Sequence, residues 1–159
     1  MRIYLDNCTF NRPFDDQAQI RIRLESEAKL HIQERIKDGS LKLIWSYILD
    51  FENKQNPFEE RQDAIRRWKK FGELDIEEKK SVLNRTHGLT EIGLKAKDAL
   101  HIACAIEGKA NYFLTTDDEI LKKCSTYKFD YTKWQRNLWL DKSLEEISKA
   151  AMRSRSQKD

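Results

Sequence analysis

Apolar positions recur along this chain in two rhythms. Short, mostly apolar runs, Ile3-Tyr4-Leu5, residues 41–45 and residues 111–115, read as strands. Between them the spacing turns helical. Over residues 17–37, Ile20, Leu24, Ala28, Ile32 and Ile36 recur every four positions, which predicts a long amphipathic helix with Gly39 as its stop. Pro13 marks a loop over residues 11–16. Ser46 is placed to cap a helix starting at Tyr47, and Pro57 breaks that helix. Further helices are predicted over residues 59–71, 76–88, 96–107 (with Gly108 as terminator) and 117–123. Residues 127–134 read as a last strand and residues 143–152 as a C-terminal helix.

Strands separated by helices predict an α/β fold, with a central parallel sheet covered by helices on both faces. In such sheets ligands bind beyond the carboxyl ends of the strands. At 159 residues the chain suits one domain, read as residues 1–150, followed by a basic tail over 151–159. No repeat, linker or membrane-length apolar run interrupts it, and the opening residues lack the apolar stretch of a signal peptide. Three widely spaced cysteines (Cys8, Cys104, Cys124) without a CxxC pair argue against a disulfide framework or structural zinc, and suit the reducing cytoplasm.

Net charge is +3, which by itself excludes little. If four of the 27 acids share one pocket, 30 basic residues face 23 acidic ones elsewhere, or +7. A solvated surface of mixed charge fits the same totals.

Four acids stand in unusual places. Asp6 closes the first apolar strand. Glu52 follows Ile48 and Leu49 by four and three residues, on one helix face. Asp98 opens a helix of small apolar residues, and Asp117 follows Leu114-Thr115-Thr116. A carboxylate on an apolar face is costly unless something pairs with it. Each also has a structural explanation. Asp98 and Asp117 complement helix N-termini, Thr116 with Glu119 makes a capping box, and Asp6 suits a turn. Four such placements on one sheet edge supply what Mg²⁺ or Mn²⁺ requires, a set of oxygen ligands. A cation held there can activate water and neutralise a phosphate.

These stretches, Ile3-Tyr4-Leu5-Asp6, Ser46 to Glu52, Lys97 to Ala103 and Phe113 to Asp117, resemble the PIN domain family in order and spacing. The opening Leu5 to Phe14 resembles a bacterial subgroup of that family. The resemblance spans residues 1 to about 125. It implies a three-layer α/β/α sandwich and a Mg²⁺- or Mn²⁺-dependent ribonuclease. It carries the acidic cluster onto Asp6, Glu52, Asp98 and Asp117. Asp6 and Asp98 would be direct ligands, Glu52 would orient a water or bind metal, and Asp117 would complete the set. Asn7 stands where many members have Thr or Ser, and Thr116 matches the hydroxyl residue that often precedes the last acid. Many members are toxins held by an antitoxin protein, and many form homodimers. A non-catalytic RNA-binding or partner-regulating module on the same fold is the alternative.

Asp118 competes with Asp117 for the fourth place, and Arg12 stands either to reach a phosphate or to pair with Asp15 or Asp16. The helix with Arg61, Arg66, Arg67, Lys69 and Lys70 also carries Glu59, Glu60 and Asp63, so it reads as a solvated face. His101 lies one turn after Asp98, within reach of the site, but reads first as a hydrogen-bonded core histidine. Trp45, Trp68, Trp134 and Trp139 read as packing residues. Cys8 lacks a neighbouring base, which disfavours a thiol nucleophile.

Overall fold

Ile3, Tyr4 and Leu5 are each at most 2% exposed, so the strand they form, β1 (Arg2–Leu5), is covered on both faces. The computed structural model describes residues 1–126 and 139–140. After β1 come α1 (Asn7–Asn11), α2 (Ile20–Lys37), β2 (Lys42–Ser46), α3 (Tyr47–Lys54), α4 (Glu59–Arg66) and β3 (Gly72–Ile76). Then follow α5 (Lys80–Glu91), α6 (Ala96–Glu107), β4 (Tyr112–Leu114), α7 (Asp118–Thr126) and β5 (Trp139–Leu140). All strand pairings are parallel, in the order β3-β2-β1-β4-β5. Helices flank this sheet in the three-layer α/β/α arrangement. No described helix is long and apolar enough to cross a membrane.

The strand order matters for everything below. From β1 the chain steps outward to β2 and β3, then returns to lay β4 on the other side of β1. The direction of winding therefore reverses between β1 and β4. In open α/β sheets the place beyond the carboxyl ends of two such strands is where ligands bind. Tyr4 and Phe113 are register partners across this junction, and their rings stack with centroids 5.5 Å apart. On the other side of β1, Trp45 of β2 is fully buried and meets Phe10 of α1 edge-on.

Several elements depart from the sequence reading. β3 was not expected: it fills the gap between the helices expected over 59–71 and 76–88, and α5 begins only at Lys80. Its residues alternate between half-buried and exposed, and Glu73 pairs with Arg2 at 2.9 Å and Lys42 at 2.6 Å across the two neighbouring strands. The helix expected over 59–71 ends at Arg66 and resumes only as a 3-10 turn, Lys69–Phe71. α1 was not expected, and the loop expected over 11–16 contains a 3-10 turn, Arg12–Phe14. α2 buries Ala28, Ile32 and Ile36 as expected, but Ile20 stands 67% exposed in its first turn. Trp139 belongs to β5, while the strand expected over 127–134, the helix over 143–152 and the tail over 151–159 lie outside the described residues.

Gly39 ends α2 with a φ of 79°, the left-handed conformation expected of a glycine stop. Gly108 serves differently. Its φ is an ordinary −73°, and the left-handed residue is Lys109 at 56°. A Cβ on Gly108 would lie 2.8 Å from Cδ1 and 2.9 Å from Cγ2 of the buried Ile44, so close approach to β2 is what requires the glycine. Gly108→Ala is therefore expected to lower stability by about 1–3 kcal/mol through overpacking. Denaturant titration of both proteins checks this, and an unchanged midpoint would contradict it.

Candidate metal centre

Asp6 follows the last residue of β1 and is 5% exposed. Its backbone carbonyl accepts from the Thr9 and Phe10 N–H groups, at 3.0 and 3.2 Å, and so starts α1. Its carboxylate is held from three directions. Oδ1 accepts from the Asn7 N–H at 2.6 Å, while Oδ2 accepts from the Thr115 hydroxyl at 2.9 Å and the Cys8 thiol at 3.2 Å. Capping and turn formation account for the first contact. The other two aim the carboxylate toward the end of β4.

Glu52 stands on the second turn of α3, its side chain 17% exposed. Oε2 lies 2.8 Å from His101 Nε2, and Oε1 lies 3.6 Å from Lys97 Nζ. Burial pushes the Glu52 carboxyl up, but the hydrogen bond and charge of His101, with those of Lys97, outweigh it and hold the pKa below the usual value. Glu52 is thus ionised well into mild acid.

Asp98 lies in the first turn of α6, as expected. Burial pushes its pKa up, and the charges of Asp117 and then Asp6 push it further. Asp117 immediately precedes α7. Its Oδ1 accepts from the Glu119 N–H at 2.7 Å, which makes it the cap of that helix. The backbone N–H of Asp117 donates to Thr115 Oγ1 at 3.0 Å, so one hydroxyl joins the acids that end β1 and β4. Asp6 and Asp117 thus follow the carboxyl ends of β1 and β4, and the charges of both reach Asp98.

The tightest grouping differs from the acid tetrad. One ligand atom each from Asp6, Glu52 and His101 lie within 4.8 Å of one another. His101 is a buried, hydrogen-bonded histidine, as the sequence suggested, and it also reaches the site. Its Nδ1 lies 2.7 Å from the Tyr4 hydroxyl, which lies 2.6 Å from Ser46 Oγ. Ser46 accordingly makes no capping bond to α3, contrary to expectation.

The residues expected to support the acids divide. Thr115, and not Thr116, is the hydroxyl that contacts Asp6; the Thr116 Oγ1 is buried without a hydrogen-bond partner, and Asp117 takes the capping role expected of Thr116. Asn7 bonds with Asn11 within α1. Arg12 is committed to Asp15 at 3.1 Å, Glu25 at 2.7 Å and the Thr116 carbonyl at 3.1 Å, a structural clamp instead of a free phosphate ligand. Asp118 points outward, its side chain 69% exposed, and Arg21 Nη1 grips it at 2.8 Å. Of the two neighbours, Asp117 is the one that faces the acids. Cys8 touches the site, but burial and then the charge of Asp6 raise its thiol to about 12, which leaves no thiolate at neutral pH.

The donor set fits a divalent cation. A buried carboxylate (Asp6), a half-buried one (Glu52) and an imidazole nitrogen converge, and burial, with the charges of Asp117 and Asp6, raises the pKa of Asp98. Comparison of the chain with known protein families, with curated proteins and with solved structures yields no match.

Proposed function

We propose that this protein is a metal-dependent ribonuclease that hydrolyses RNA phosphodiester bonds, with Mg²⁺ or Mn²⁺ as its cofactor. The observation that carries the reading is the convergence of Asp6 and Glu52 with His101 beyond the end of β1, with Asp98 and Asp117 near enough that burial and then the charges of Asp117 and Asp6 raise the pKa of Asp98. The PIN-like order of motifs supports it, and so does the basic balance of the remaining chain. Three free cysteines, Cys8, Cys104 and Cys124, suit a cytoplasmic setting.

Asp6 and Glu52 would hold the ion, and Asp98 and Asp117 would add negative charge beside it. When bound, such an ion supplies Lewis acidity toward a phosphate and makes a water more acidic. The protein contributes order. Asp6 is fixed by its three donors, Thr115 keeps the ends of β1 and β4 in step, and Glu52 is kept ionised by His101 and Lys97. None of the cysteines offers a thiolate nucleophile, since burial raises Cys104 and Cys124 to about 12 as well.

The test is incubation of purified protein with mixed single-stranded RNAs and Mn²⁺, followed by analysis of the product ends. Hydrolysis by water is expected to leave 5′-phosphates, to stop in excess chelator, and to weaken as salt rises. Products with 2′,3′-cyclic ends, or full cleavage in chelator, would overturn the reading.

A further inference from the structure

We infer that the centre takes an imidazole nitrogen as a ligand, and that it therefore selects a first-row transition dication such as Mn²⁺ over Mg²⁺. The inference rests on the metal-centre reading above and names the ion.

His101 Nε2 sits between two carboxylates, 2.8 Å from Glu52 Oε2 and 3.7 Å from Asp6 Oδ1. An ion with ligands at about 2.1 Å keeps neighbouring ligand atoms about 3 Å apart and opposite ones about 4 Å apart. The three atoms, all within 4.8 Å of one another, need only small shifts to meet that spacing. The imidazole has little freedom to turn elsewhere, since it is 1% exposed and Nδ1 is held by Tyr4 at 2.7 Å.

The hydrogen bonding behind the ring allows coordination. The Tyr4 hydroxyl lies between His101 Nδ1 and Ser46 Oγ, and it can donate to either. When Tyr4 donates to Nδ1, the ring proton sits on Nε2 and points at Glu52. When Tyr4 donates to Ser46, it accepts from Nδ1–H, and the Nε2 lone pair is free for a metal. A metal-bound imidazole is ordinarily oriented in this second way, through a bond from its other nitrogen. The exchange moves the ring proton from Nε2 to Nδ1 and releases none.

The choice of ion follows from the ligand. Mg²⁺ favours oxygen and keeps several waters, whereas transition dications accept imidazole. A purely carboxylate site has no such reason to discriminate. Replacing one oxygen ligand by a buried nitrogen shifts the preference away from Mg²⁺.

Two measurements on the full-length protein test this. The first is pulsed electron paramagnetic resonance of bound Mn²⁺ in protein labelled with ¹⁵N-histidine. His31 and His87 lie outside the cluster, in i,i+3 and i,i+4 pairs with Glu34 and Glu91 on their own helices, so a directly bound nitrogen reports His101. A ¹⁵N coupling of bound strength is expected. The second is competition between Mn²⁺ and Mg²⁺, followed by calorimetry, for the wild type and His101→Gln. The substitution is expected to reduce the Mn²⁺ preference by about tenfold or more, with Mg²⁺ binding nearly unchanged. Bound Mn²⁺ without nitrogen coupling would overturn the inference and leave the carboxylate centre standing. Absence of any Mn²⁺ binding would overturn both. Since the spectrum is recorded on the wild type, the inference stays testable even if the buried substitution fails to fold.

Discussion

Asp98→Asn is expected to abolish RNA cleavage and to leave the protein as stable as the wild type or more so. The two effects have one source. Burial and the charges of Asp117 and Asp6 raise the folded-state pKa of Asp98 above its ordinary value. A group shifted upward favours folding while it is protonated, below its unfolded-state pKa, and that contribution is lost as pH rises through the folded-state value. At neutral pH the ionised Asp98 therefore opposes folding, and the neutral amide removes the opposition. The gain in Tm over the wild type should be greatest near pH 7 and should vanish in acid, where both side chains are neutral. Loss of the charge should also cut cleavage by about 10²-fold or more, beyond the effect typical of residues that merely support a ligand. Thermal melts between pH 3 and pH 8, with a cleavage assay at pH 7, read both effects. A large loss of stability at pH 7 would mark Asp98 as structural.

The same isosteric change at Asp6 is expected to lose both activity and stability. Asp6 accepts from the Asn7 N–H, the Thr115 hydroxyl and the Cys8 thiol, and it is 5% exposed. An amide offers one accepting oxygen and introduces two N–H donors. If that oxygen keeps the Asn7 bond, the amide nitrogen faces Thr115 and Cys8, and a buried group loses its partner. Such a loss costs about 1–3 kcal/mol. A protein of this size should then melt several degrees lower. Cleavage should fall at least as far as in Asp98→Asn. Stability that rose in Asp6→Asn would mean that Asp6 is dominated by repulsion and not by its donors. The opposite stability signs of the two variants separate a carboxylate built into the fold from one the fold tolerates.

How far the sequence carried this reading depends on the distance over which each residue acts. The buried strands β1, β2 and β4 were legible because their apolar runs reflect burial on both faces. β3 was not, because Glu73 and Asp75 break its apolar pattern, and its place in the sheet rests on pairing with β2 and on cross-strand ion pairs. The acids were legible because each follows a strand or lies in the opening turns of a helix. Asp117 over Asp118 was not, since the choice depends on Arg21, far away in the chain. Thr115 and His101 depend on partners 109 and 97 residues away, Asp6 and Tyr4. A motif of four or five residues carries no trace of such contacts, so the sequence points to Thr116 for the hydroxyl and leaves His101 between the core and the site.

The placement of β4 has a consequence for synthesis. Asp6, Glu52, Asp98 and His101 have all been translated before the segment that brings in Thr115 and Asp117. Until β4 emerges, β1 has an open edge, and Asp6 lacks the hydroxyl that fixes its carboxylate. The surroundings of Asp6 are therefore completed only by a strand made after the segments that carry Asp6, Glu52, Asp98 and His101.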